Sequence, residues 1–333
     1  VSEKIRWGIF GTANIAVKRF IPGVRASRTG TVAAIASRTL LRAEEVARDH
    51  GIPKAYGSYE AMLADPEIDA IYNPLPNALH AEWTVKAAAA GKPILCEKPL
   101  ATSSADALLM IEMCKYHDVL LMEAFMYRFH PQHARVRELI AQGAIGELRA
   151  VHASFTFLLE PFQKKNVRLQ HDLGGGALAD VGCYTVNAAR MLFGEEPLWA
   201  SAQWDVREQF GVDVATAGVL GFSDRRMATI DCSFRAAGGG AYSAIGTDGQ
   251  IDVPNAFVPQ TEVSLHITEH GKRREERLPA VDQFALEADE FADALQTGRP
   301  LRFLPMDAIA NLHVLEALAR SAATLGLRQD VRR

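Results

Sequence analysis

The chain has 333 residues, 48% hydrophobic and 23% charged, with 36 Lys and Arg against 40 Asp and Glu. At about 150 residues per domain this is material for two domains with buried cores, and the near-average composition sets aside disorder, collagen and disulfide scaffolds. A net charge of −4 argues against a nucleic-acid surface, and no apolar run reaches the ~18 residues of a bilayer span, so neither partner is expected.

The opening segment VSEKIRWGIF has no apolar h-region and no small-residue cleavage site, which points to a cytoplasmic chain. The first 125 residues alternate short apolar runs with helical stretches. The runs are Ile5–Phe10, Val32–Ala36, Ala70–Tyr72, Pro93–Cys96 and Val119–Met122; Leu41–His50 and Ala81–Ala90 are rich in helix formers. This predicts βαβ units and a doubly wound parallel sheet, an α/β fold. Cys96, Cys114, Cys183 and Cys232 lie far apart with no C-x-x-C pair, as expected for reduced thiols holding no metal.

The first strand ends in Gly11-Thr12-Ala13-Asn14-Ile15-Ala16. A dinucleotide site needs a tight glycine turn here and a helix N-terminus aimed at the pyrophosphate. Gly11 supplies the turn, while Ala13 and Ala16 replace the later glycines of G-x-G-x-x-G. The second strand ends in Ser37-Arg38, where an NAD site usually places a carboxylate. A hydroxyl and a guanidinium, with Arg42 one helical turn on, would instead bind a ribose 2′-phosphate, so NADP(H) is favoured and NAD(H) is the weaker alternative.

Ligands of such a sheet bind beyond the carboxyl ends of its strands. There the third run enters Asn73-Pro74-Leu75-Pro76-Asn77-Ala78-Leu79-His80. Pro74, Leu75 and Asn77 are candidate cofactor contacts, and Asn77 is expected to cap the helix carrying His80. His80 either touches the ribose or nicotinamide or is a satisfied histidine at a helix start. The fourth run ends in Glu97-Lys98-Pro99. Glu97 joins the cofactor set; the Lys98 ammonium could stabilise alkoxide charge, and a cis Lys98–Pro99 bond would aim it into the cleft.

After about residue 147 the period changes to two. Val151–Phe157, Ala228–Phe234 and Val263–Ile267 alternate apolar and polar residues, which predicts a one-faced, largely antiparallel sheet. Helices are predicted over Ala177–Phe193, Asp282–Leu295 and about Pro305–Leu325. Before the first of these stand Asn166-Val167-Arg168 and then Gly174-Gly175-Gly176. Asp180 and Tyr184, four apart, share a face; Tyr184 is a candidate general acid–base, Asp180 could orient Lys98 or a substrate hydroxyl, and Arg168 either contacts a polyol or pins its loop. The domain boundary is expected between Glu123 and Gly146, giving domains 1–123 and 124–304, with a C-terminal helix and tail over 305–333 packing back.

Taken in order, Gly11–Ala16, Ser37-Arg38, Pro76-Asn77 with His80, Glu97-Lys98-Pro99, and Gly175–Leu178 with Asp180 and Tyr184 resemble the glucose–fructose oxidoreductase/inositol dehydrogenase/MocA family over essentially the whole chain. The resemblance implies an N-terminal Rossmann domain binding NAD(P) and a C-terminal α+β domain whose open sheet joins subunits, as a dimer or tetramer. It makes Lys98 the catalytic lysine and places Tyr184 where some members carry His and others Tyr. The Tyr group implies hydride exchange with a sugar or polyol, an aldose 1-dehydrogenase first and a 3-ketosugar reductase or dihydrodiol dehydrogenase next. An NAD-dependent redox glycosidase and a catalytically silent nucleotide sensor are the rival classes.

Overall fold

The computed structural model describes residues 4–163 and 165–332, so the first three residues of the opening segment lie outside it. The apolar runs become β1 (Ile5–Phe10), β2 (Gly30–Ala36), β3 (Lys54–Tyr56), β4 (Ala70–Asn73), β5 (Ile94–Glu97) and β6 (Leu121–Ala124). Between them run a π-turn (Ala16–Phe20) leading into α1 (Ile21–Ala26), then α2 (Leu40–Asp49), α3 (Tyr59–Leu63), α4 (His80–Ala89) and α5 (Ser104–Tyr116). All ladders are parallel, in the order β3-β2-β1-β4-β5-β6. Strand order reverses between β1 and β4, the switch point beside which such sheets bind ligands. Helix α5 escaped the periodicity argument because its apolar residues run around it, leaving Leu108 and Leu109 exposed.

The chain continues through α6 (Pro131–Ala141), β7 (Leu148–Thr156), a π-turn (Leu178–Gly182) and α7 (Cys183–Phe193). Then follow β8 (Trp199–Arg207), β9 (Val212–Gly221), β10 (Met227–Ser233), β11 (Gly240–Gly246), β12 (Gly249–Val253), β13 (Val263–Glu269) and β14 (Lys272–Leu278). Helices α8 (Gln283–Thr297) and α9 (Met306–Ala323) and a short β15 (Gln329–Asp330) close it. Strands β7–β15 form one sheet in the order β14-β13-β12-β11-β7-β10-β9-β8-β15, antiparallel except where β7 meets β10. The period-two segments sit in β7, β10 and β13. Val151, Ala153, Ala228 and Ile230 are buried, while His152, Thr229 and Asp231 alternate onto an exposed face.

By its contacts the chain divides into two compact units, Val1–Phe129 with Asp282–Ile309, and His130–Val281 with Ala310–Arg333. Residues 282–304, expected with the second domain, therefore pack in the first unit, and the tail divides inside α9. The cause is the apolar stripe of α8. Phe291 lies 5.0 Å from Trp7, which in turn meets Phe20 edge-on at 5.3 Å. Asp289 ties the helix down by accepting from the Thr29 hydroxyl at 2.6 Å and from the Arg28 and Thr29 N–H groups at 3.0 and 3.1 Å. Burying one large side chain such as Phe291 contributes about 1.5–3 kcal/mol. Among the described residues no two cysteines form a disulfide and no helix is long and apolar enough to cross a membrane.

Candidate active site

At the carboxyl end of β1, Gly11 adopts φ +73° and donates its N–H to Ala36 O at 2.8 Å. A Cβ there would lie 3.2 Å from Leu75 Cδ2 in a backbone conformation that suits glycine alone. Helix re-forms from Asn14, and Thr12, Ala13, Asn14 and Ile15 all keep exposed surface. First-turn N–H groups have no partner inside their own helix, so this turn fits a pyrophosphate. The π-turn that follows belongs to a class frequent at functional sites.

The 2′-phosphate end of the site rests on β2. Ser37 is 9% exposed and pinned by its N–H to Tyr56 O at 3.0 Å. Arg38 is exposed and has no ion-pair partner among the described residues; its charge reaches the Tyr59 hydroxyl, whose pKa burial pushes up and Arg38 pulls down. Arg42 is already paired, with Glu45 at 3.1 Å. The arrangement fits a phosphate on Arg38 first, with Arg42 free to join by giving up a weak surface pair.

The segment after β5 is braced from three sides. Tyr72 donates its hydroxyl to Glu97 Oε1 at 2.6 Å, and the Lys98 N–H reaches Glu97 Oε2 at 3.2 Å. The Leu100 N–H donates to Glu123 Oε1 at 2.8 Å. His80 stands between Pro99 O at 3.0 Å and Leu75 O at 2.8 Å. The Lys98–Pro99 bond is cis, and Lys98 itself is half-buried. One expectation, the Asn77 cap, changes here, and the surroundings of His80 and Glu97 become visible. His80 is fully buried with a backbone carbonyl at each ring nitrogen, between the 73–77 loop and the lysine turn, and its neutral ring can donate to one of the two. Glu97 likewise braces the turn from a buried position. Asn77 lies inside a 3-10 turn, and α4 starts from Leu79 without a side-chain cap. Pro74 and Leu75 are buried beneath the loop, Leu75 against Gly11.

Burial depresses His80 and His130 to about 4 and His133 to about 3, and for His80 it outweighs two carbonyl contacts that favour the proton. All three are neutral in the fold at pH 7, but each takes a proton at about 6.5 once unfolded. Stability is therefore expected to decline as pH falls from about 6.5 toward 4, and a melting temperature that stays level from pH 6.5 to 5 would contradict this.

The second unit holds the other candidates. Gly176 adopts φ +123°, and a Cβ on it would lie 2.4 Å from Asp213 Oδ1. Asp213, buried on β9, accepts the Leu178 N–H and the Thr216 hydroxyl, both at 2.8 Å. It thus caps, from another strand, the helix carrying Asp180 and Tyr184. Arg168 and Asp180 meet directly, Nε to Oδ2 at 2.6 Å, with the guanidinium 5.7 Å above the Phe157 ring. Asn166 accepts the Arg168 N–H at 3.1 Å and pins that loop. Tyr184 is 4% exposed, its ring 5.2 Å from Phe155 and 5.4 Å from Phe257. Tyr184 and Lys98 belong to different units.

Comparison with known proteins matches residues 5–125 to the oxidoreductase family with an NAD-binding Rossmann fold and residues 133–252 to the GFO/IDH/MocA C-terminal domain. The chain belongs to the Gfo/Idh/MocA oxidoreductase family. As a member it is an NAD(P)-dependent oxidoreductase. It is 40% identical to a D-xylose 1-dehydrogenase (NADP(+)) of Haloferax volcanii, over 96% of this chain and 97% of that one. It is 36% identical to a trans-1,2-dihydrobenzene-1,2-diol dehydrogenase of Xenopus laevis over 78% of each. A solved 3-ketoreductase from Actinomadura kijaniata, in complex with NADP and TDP-benzene, superimposes with a TM-score of 0.91 at 33% identity, covering 96% of this chain and 98% of that one.

Sequence reasoning missed Tyr72, Glu123 and Asp213. The signal for Asp213 was there: a carboxylate between Val212 and Val214 sits poorly in a buried strand unless backbone donors meet it. Asp213→Ala strands those donors and is expected to lower turnover and stability together, by about 1–3 kcal/mol in the latter. Asp213→Asn keeps acceptor oxygen and should recover most of both; denaturant titration and initial rates check this, and an Ala variant equal to wild type would contradict it.

Proposed function

We propose that this family member is an NADP(H)-dependent oxidoreductase exchanging a hydride with a carbinol or carbonyl carbon of a sugar or polyol, an aldose 1-dehydrogenase in the first instance. The observation that carries this is the braced Glu97–Lys98–Pro99 turn, which holds the half-buried residue Lys98 at the carboxyl edge of the sheet. Support for the substrate comes from the xylose dehydrogenase relative, and for the cofactor from Arg38 and the NADP named for that relative and for the 3-ketoreductase.

When bound, the nicotinamide supplies the hydride acceptor or donor. Gly11 and the turn through Ile15 would hold the pyrophosphate, and Ser37, Arg38 and Arg42 the adenosine phosphate. Tyr184 Oη accepts the carbinol proton during oxidation and returns it during reduction. Lys98 Nζ stabilises the developing charge on oxygen and favours the phenolate form of the tyrosine. Asp180, held by Arg168, orients the hydroxyl-bearing substrate.

The test is NADPH absorbance with a panel of aldoses, ketosugars and a dihydrodiol. Oxidation of aldoses with NADP supports the reading. Reduction of a 3-ketosugar nucleotide alone would favour the second reading, which the likeness to the ketoreductase motivates. Cofactor that survives gel filtration without bulk turnover would point to a redox glycosidase, and binding without any turnover to a sensor. We further propose self-association through the exposed face of the second sheet, checked by light scattering, in a cytoplasmic setting.

A further inference from the structure

Helix α8 carries one group that the proposed mechanism does not use. Glu287 is completely buried in the first unit, and neither carboxyl oxygen has a hydrogen-bond partner among the described residues. The charges that act on it are Glu97 and Glu123, at the ends of β5 and β6. Those two differ from it in a decisive way. Glu97 accepts the Tyr72 hydroxyl and the Lys98 N–H, and Glu123 accepts the Leu100 N–H. Donors of this kind stabilise ionised carboxylates, whereas an ionised Glu287 would be a buried charge beside two like charges with nothing to offset it.

The other elements around α8 do not supply that offset. The 126–129 turn brings Arg128, which is bound to Asp307. The 16–20 turn brings Lys18 and Arg19, and α1 brings Arg25; Lys18 and Arg25 are exposed and Arg19 is partly so. On α8 itself, Asp289 pairs with Arg28 and Glu290 with Arg299. Nor do His, Cys, Asp and Glu side chains gather as a metal site anywhere among the described residues.

We infer that Glu287 stands behind the Lys98 turn as an uncharged carboxylic acid, and that it is a positioning residue for the Glu97 and Glu123 carboxylates bracing that turn. The proton is then held by Glu287 alone, while Glu97 and Glu123 stay ionised. Burial and the two neighbouring carboxylates hold the Glu287 pKa well above the usual range. The positioning role rests on the function proposed for Lys98; the protonation state does not.

The experiment compares wild type with Glu287→Gln, which keeps shape and lacks the titrating proton. The folded wild type keeps a proton that the unfolded chain releases above about pH 4.5, so the contribution of Glu287 to stability, read as the difference between wild type and the Gln variant, falls with rising pH and opposes that of the buried histidines. The Gln variant should match wild type near pH 4.5 and melt about 3 °C or more above it at pH 8. A Gln variant that is less stable, and most so at neutral pH, would overturn the inference. Infrared spectroscopy gives a second readout that does not need the variant to fold. At pH 7 the wild type and Asp213→Asn should both show the carbonyl stretch of a protonated carboxyl; its absence from either overturns the inference. For positioning, Glu287→Leu should lower kcat on the order of 10–100-fold with the KM for NADP(H) held, and Glu287→Gln should restore it. Full kcat in the Leu variant overturns positioning, whereas a wild type silent toward every sugar defeats the proposed function and leaves the infrared and melting results standing.

Discussion

Replacing Lys98 by Met is expected to lower turnover on the order of 100–1,000-fold, the usual loss when a donor to a developing oxyanion is removed. Met keeps the length and apolar stem of the side chain and deletes only the ammonium. The turn itself is held by the Tyr72–Glu97, His80–Pro99 and Leu100–Glu123 hydrogen bonds, which do not use that ammonium, so the fold should stay intact. Tyr184→Phe removes a single oxygen from a ring packed against Phe155 and Phe257, and should cost about 100–10,000-fold as a lost general acid–base. Fluorescence titration should find NADPH bound as in wild type by both variants. Initial rates equal to wild type in both would remove these residues from the mechanism.

Arg38→Ala should weaken NADP(H) by about 10–100-fold, the value of one or two charge-assisted hydrogen bonds to a phosphate. NAD(H) has no group for that guanidinium, so its KM should hardly change. The expectation is sharp because Arg38 carries no ion pair to break among the described residues and Arg42 does. Equal losses for the two coenzymes would mean that Arg38 acts on the fold or on the shared part of the dinucleotide.

The parallel sheet was legible because its strands are buried on both faces and its glycine turn follows the first of them. The second sheet was legible through period two in β7, β10 and β13. What stayed hidden has a common physical cause. The attachment of α8 depends on which partner its apolar stripe meets, Trp7 and Phe20, and periodicity names a stripe without naming its partner. The role of His80 depends on two carbonyls, from residues 75 and 99, that only the folded chain brings to its ring. Arg168 and Asp180 were both singled out by sequence, but their mutual pairing at 2.6 Å was not, because the 3-10 turns and glycines between them set the distance. Asp213 and Glu287 read as ordinary carboxylates until burial separates one rich in donors from one with none.

Hydride transfer itself is tested most directly with an aldose deuterated at C1. After incubation with NADP and this protein, proton NMR of the recovered NADPH should show one deuterium at nicotinamide C4, in step with loss of the sugar. Sugar consumed with no label on the nicotinamide, or label washed into solvent, would contradict direct transfer and with it the roles given to Lys98 and Tyr184.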